Sequence, residues 1–172
     1  MKLTHLPALA ALGFLGLVAV APGCRDNLDD TVTGKCPSQA VFEQSVSPFL
    51  ERRCGTLDCH GSIARPMRLF GQLGLRHPDE DNVSGGALTT AVELTANYTS
   101  VCNVDAEKMS ESVDDFGNQA ENLLLVTKAR GLEKHKGGKV VSENDAGDRC
   151  LRGWLKGEDV TQACQDAVDQ LQ

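Results

Sequence analysis

Aromatic side chains are scarce in this 172-residue chain: five Phe, one Tyr and one Trp, 4% of the sequence. Large aromatics are usually the heaviest contributors to a core. Something else has to fill the interior, and a buried prosthetic group would do so. Basic residues are also in short supply, with 17 Lys and Arg against 24 Asp and Glu and a formal charge of −7. Such a surface repels nucleic acid and anionic headgroups, which argues against nucleic-acid partners. No apolar run reaches the about 20 residues needed to cross a bilayer comfortably. There is no Gly-rich phosphate loop, no carboxylate pair in pKa-raising surroundings, and no Ser or Cys beside a general base. The chain therefore carries no independent enzyme signature.

The longest apolar run, ALAALGFLGLVAVA from Ala8 to Ala21, follows the Lys-bearing start MKLTHLP and leads into Ala21-Pro22-Gly23-Cys24. A charged start, a short apolar stretch and a small-residue exit describe an export signal over residues 1–23. A cysteine at the cut resembles a bacterial lipobox, in which Cys24 is acylated and becomes the new N-terminus; plain secretion and a retained anchor helix are the alternatives. Ala21 and Pro22 stand where a lipobox more often has Leu and Ala or Ser. The expected location is the cell envelope, on the periplasmic or outer-membrane side. Loss of Lys2 with the signal makes the exported chain one unit more negative than −7, so membrane contact would come through the lipid and not a basic patch. Residues 24–37 are polar and aperiodic and read as a tether reaching roughly 20 Å. Residues 38–172 are then one domain.

Seven cysteines look odd in an exported chain until Cys24 is assigned to the lipid, which leaves six. Three disulfides would allow fifteen pairings. If Cys54 and Cys59 hold something else, Cys36, Cys102, Cys150 and Cys164 suffice for two. Parity does not choose between these schemes.

The chain reads as mainly helical and loop-rich. Ser38 caps a helix over 38–53 that places Val41, Phe42, Val46, Phe49 and Leu50 near helical spacing, with Pro48 shortening or kinking it. Residues 61–87 read as loop, and His77 as a solvated loop residue. A helix is expected over 88–101, with Leu88, Val92 and Ala96 on one face, and a polar loop over 103–118. A further helix opens at Asn118 or Glu121, runs through NLLLVTKA and stops at Gly131. Leu123 to Val126 are core candidates. Ser142 is the expected cap of a helix through Cys150, Leu151, Trp154 and Leu155, and another helix lies near 158–170. Trp154 reads as a core residue.

The stretch RRCGTLDCHG, residues 52–61, sets two cysteines five positions apart with His60 straight after Cys59. A c-type haem is normally fastened by C-x-x-C-H, in which two thiols reach the two vinyl groups and the adjacent histidine becomes the proximal iron ligand. The vinyl separation limits the distance between the thiols, yet the chain between them can bulge outward, helped here by Gly55. Adjacency of Cys59 and His60 is what has to be kept. The alternatives are a Cys54–Cys59 disulfide with an ordinary surface histidine, and a zinc site from Cys54, Cys59 and one or two histidines.

The surrounding residues carry a resemblance. VSPFLERRCGTLDCHGSIARPMRLFG, residues 46–71, resembles the cytochrome c-like domains of the planctomycete type, which have V-x-P-x-L, then C-x4-C-H-G, then a basic-Leu-aromatic-Gly step. Residues 122–138 are similar to the second block, with Leu123, Leu124, Leu125, Lys128, Gly131 and His135 before Gly137-Gly138. Leu151, Trp154 and Gly157 match the third. The chain departs from the family at Lys136, where glycine is common, and in a long insertion over 72–120. The resemblance implies a small mainly α, cytochrome c-like domain around one covalent haem c, held by Cys54, Cys59 and His60. His135 matches the family's histidine and is the favoured distal ligand. Met109 is the alternative, and an open iron position the third possibility. The implied activity is electron transfer with a redox partner protein. The acidic run Glu111, Asp114 and Asp115 is a minor candidate for docking a basic partner. The competing class is a lipoprotein stapled by disulfides that acts as a binding or structural module without cofactor.

Overall fold

The computed structural model describes residues 34–171. The export segment 1–23, the lipidation candidate Cys24 and residues 25–33 of the expected tether lie outside the described residues. The fold is mainly α. Its first helical run consists of α1 (Gln39–Val41), a π-helical segment (Phe42–Val46) and α2 (Ser47–Arg53). Next come α3 (Ala91–Cys102), α4 (Ala106–Asp114), a 3-10 turn (Ala120–Asn122), α5 (Leu124–Ala129), α6 (Ala146–Leu155) and α7 (Thr161–Asp169). The only β-type pairing among the described residues is an isolated bridge between Phe70 and Leu75. None of the described helices is long and apolar enough to cross a membrane.

Ser38 caps the first run as expected, its hydroxyl accepting from the Val41 N–H. Pro48 does not break it. The π segment just before the proline lets the Ser47 N–H reach back to the Phe42 carbonyl, and Pro48 then occupies the first turn of α2, where its missing N–H costs no helical bond. Phe42, Val46, Phe49 and Leu50 are thereby all buried, together with Leu151, Trp154 and Leu155 of α6 and Cys164, Ala167 and Val168 of α7. The few aromatics are concentrated: Phe42 lies 5.6 Å from Tyr98 and 5.1 Å from Trp154, centroid to centroid. Gly147 lets Phe49 lie against α6, since a Cβ there would stand 2.7 Å from the Phe49 ring.

Several expectations are corrected. The helix expected over 88–101 starts three residues later, capped by Thr90 in a capping box with Glu93. It buries Glu93, Asn97 and Val101, whereas Leu88 and Val92 are exposed. Glu93 is buried because Arg76 donates to both of its carboxylate oxygens, each at 2.7 Å. The expected 103–118 loop contains α4, with Met109 and Ser112 turned inward. Asp145, not Ser142, caps α6, accepting from the Asp148 N–H. His77 is half-buried against the Phe70 ring, 5.1 Å away.

Residues 34–37, read as the end of the tether, are fastened to the domain. The Lys35 N–H donates to Ser110 Oγ at 2.9 Å, and the Tyr98 hydroxyl donates to the Pro37 carbonyl at 2.9 Å. The cysteines pair at disulfide distance as Cys36–Cys102 and Cys150–Cys164, with Cα separations of 5.8 and 4.7 Å. Cys54 and Cys59 are free thiols.

Candidate functional site

Cys54 is the C-cap of α2. Beyond it the chain closes a small bulge: the His60 N–H donates to the Cys54 carbonyl at 2.8 Å, and the Cys59 and Gly61 N–H groups both donate to Thr56. A Cβ at Gly61 or at Gly74 would run into the Gly55 carbonyl oxygen. Glycine after the Cys-His pair is therefore a steric requirement of this loop. Burial pushes the Cys54 thiol up to about 12, so at neutral pH it is a thiol and not a thiolate.

His60 Nδ1 lies 2.9 Å from the Met67 carbonyl oxygen. A carbonyl can only accept, so Nδ1 carries the proton and Nε2 keeps its lone pair. Burial holds the His60 ring below its usual pKa, and the neighbouring His135 and Arg65 act in the same direction against the Met67 hydrogen bond. The imidazole is thus neutral and able to ligate.

His135 repeats the arrangement from the other side. Its Nδ1 lies 2.9 Å from the Gly138 carbonyl oxygen, which again frees Nε2. The loop bearing it begins where Gly131, at φ +70°, ends α5. It is tied down by Lys128 Nζ donating to the Lys134 carbonyl at 3.1 Å. The Val140 and Val141 N–H groups also donate to the Ala129 carbonyl. The two imidazoles end with ring centroids 6.0 Å apart and planes 24° apart.

They flank a cleft of about 70 Å³. Phe49 and Leu50 of α2, Leu124, Leu125 and Ala129 of α5, and Leu151 of α6 form its apolar walls, with Val140 and Val141 closing one side. Cys54, Lys128 and the two histidines are its polar lining. Of these, only Lys128 carries a permanent charge, and Glu133 lies 3.7 Å from its ammonium.

The sequence candidates therefore divide. Cys54, His60 and His135 converge on the cleft, and Cys59 stands next to His60 in the chain. Met109 does not line the cleft: it is 2% exposed and packed in the core of the domain. Cys36, Cys102, Cys150 and Cys164 are occupied with one another. Among the described residues, no group of three or more His, Cys, Asp or Glu gathers as metal ligands. The residues missed in the sequence are those that act through the backbone. The Met67 and Gly138 carbonyls set the two ring orientations, and no side-chain pattern advertises a carbonyl. Compared with protein-family models, with curated proteins and with solved structures, the chain matches none, so its own geometry carries the functional reading.

Proposed function

We propose that this chain is an electron-transfer lipoprotein of the cell envelope that binds one haem c covalently. The observation that carries the reading is the pairing of His60 and His135 across an apolar cleft. Two imidazoles that bind one metal ion from opposite sides each stand about 2 Å from it. That places their ring centres roughly 6 Å apart, and 6.0 Å is the separation here. Each Nδ1 is engaged by a backbone carbonyl, the arrangement that orients metal-bound histidines and raises their basicity. Neither Cys54 nor Cys59 is spent on a disulfide.

In this reading Cys54 and Cys59 would hold the porphyrin through thioethers formed by adding their thiols across its vinyl groups, and His60 and His135 would ligate its iron. When bound, the haem iron supplies one-electron redox chemistry. The chain's own residues do the rest. Leu124, Leu125, Ala129, Val140 and Val141 line the cleft with apolar surface and would exclude water from a bound group, which would favour outer-sphere transfer over ligand chemistry. The loop fastened by Lys128 presents the His135 imidazole. Two histidines imply a lower reduction potential than a histidine–methionine pair. The lipid anchor at Cys24 rests on the sequence alone.

The test is a visible spectrum of protein exported from cells that carry c-type haem maturation machinery, with the same sample on a denaturing gel stained for haem. The expected result is colour that stays with the unfolded chain and vanishes in Cys54→Ala/Cys59→Ala. A colourless protein with Cys54 joined to Cys59 would overturn the reading. It would favour the cofactor-free module, for which the two disulfides speak.

A further inference from the structure

The molecule is acidic overall but basic in the two segments that supply the cleft's histidines. Residues 52–68 and 128–139 are the two segments that bring His60 and His135 together. They hold nine of the 17 Lys and Arg but two of the 24 Asp and Glu. Arg130 turns inward to Asp148, whereas Arg52, Arg53, Arg68, Lys134, Lys136 and Lys139 are exposed. Among the described residues none of these six lies within ion-pair distance of a carboxylate. Leu57, Ile63 and Leu132, in the same segments, are 57%, 72% and 68% exposed. Apolar contacts bounded by charge are the composition of a transient docking face.

Which charge a partner meets is decided by distance. At physiological salt the Debye length is about 8 Å. For a partner docked against these two segments, their exposed cations therefore outweigh the acid excess carried by the rest of the chain. Partners that are steered to a site match its local potential, not the net charge.

We infer that the cleft mouth, built from residues 52–68 and 128–139, docks an acidic protein surface. The electron-transfer partner is thus acidic at its contact face, although this chain carries a net charge of −7. The purpose of the contact rests on the electron-carrier reading; the charge pattern stands without it. The acidic run Glu111, Asp114 and Asp115 does not line the cleft.

The test is a titration of the isotopically labelled protein with octaglutamate and, separately, octalysine, followed by amide chemical shifts. Octaglutamate is expected to perturb residues 52–68 and 128–139, with Kd weakening roughly tenfold or more from low to physiological ionic strength. Lys134→Glu/Lys136→Glu/Lys139→Glu is expected to abolish those shifts. Arg52→Glu/Arg68→Glu leaves the His135 loop intact and is expected to weaken them too. Octalysine perturbing the cleft mouth, or octaglutamate perturbing other surfaces only, would overturn the inference. So would salt-sensitive self-association through the same residues, which would make a second copy the occupant. A colourless protein that still binds octaglutamate at this face would sink the haem reading and leave the docking face standing. A haem-bearing protein that ignores octaglutamate would do the reverse.

Discussion

Arg53 donates from Nε and Nη2 to the Val140 carbonyl oxygen, at 3.1 and 3.0 Å. The residue just before Cys54 thus holds the chain just after the His135 loop. The two halves of the candidate site come from distant parts of the sequence, and this bond ties them at the cleft's edge.

Arg53→Ala should loosen that tie without unfolding the domain. The side chain is exposed, so the expected loss of global stability is about 1 kcal/mol or less. Hydrogen exchange should quicken at the Val140 and Val141 amides, which donate to the Ala129 carbonyl. Unchanged exchange there would show that the α5 contacts hold the loop by themselves.

His135→Ala and Met109→Ala should separate cleanly. With haem bound, His135→Ala is expected to convert a two-histidine spectrum to one with an exchangeable sixth position, at nearly unchanged melting temperature. Met109 is buried away from the cleft, so Met109→Ala should leave the spectrum alone and cost about 2–5 kcal/mol in cavity formation. The opposite pattern would make Met109 the ligand.

Arg130 and Asp148 form a buried ion pair, with Nε 2.6 Å from Oδ1 and Nη2 2.9 Å from Oδ2. Arg152 Nε also donates to Oδ2 at 2.9 Å. Asp148→Leu removes the carboxylate that both guanidiniums share and leaves the buried Arg130 only the half-exposed Glu121 at 3.4 Å, so it should cost about 3–5 kcal/mol, and Arg130→Met/Asp148→Leu should recover most of it. Burial pushes the Asp148 carboxyl up, but the Arg130 bonds, the Asn144 N–H and the two nearby guanidinium charges outweigh it and hold the group below its ordinary 3.8. Glu93 is likewise held below 4.5, burial being overcome by Arg76 and by the Thr90 and His77 N–H groups. Stability from these depressed carboxyls is complete above their unfolded values and drains away as pH falls through the folded ones. Denaturant midpoints should therefore drop below about pH 4 in the native protein, and less steeply in Arg130→Met/Asp148→Leu.

Glu51 has the opposite sign. Burial raises its carboxyl above the ordinary 4.5, with the Glu93 charge adding to this and the Thr89 and Ser47 hydroxyls and the Arg76 charge opposing it. A raised carboxyl lends stability below its unfolded pKa and loses it as pH rises through the folded one. Glu51→Gln should accordingly raise the melting temperature at pH 7 and leave it unchanged near pH 4. Equal effects at both pH values would place the cause in packing.

The parts legible in the sequence are those whose causes lie a few residues apart. Ser38 caps the first run because its hydroxyl needs only the N–H three positions on. The end of α5 at Gly131 follows from that residue's own left-handed backbone. The adjacency of Cys59 and His60, and the glycine after them, is likewise local chemistry. By contrast, the buried face of α3 is not legible in the sequence because Glu93 and Asn97 are polar. They are interior only where Arg76 and the Phe70 backbone come to meet them, Asn97 accepting from the Phe70 N–H at 2.6 Å. Met109 looked free for a ligand role until α4 turned it into the core.

The sequence by itself determined that two thiols and an imidazole lie together at the end of α2, since their spacing is covalent. Only the tertiary structure decided that His135 faces His60 at 6.0 Å over an apolar cleft, and that Met109 does not. Such a meeting depends on α2 and α5 lining the same cleft and on two carbonyls that turn the rings. Those contacts are made across the fold, where no neighbouring residue records them.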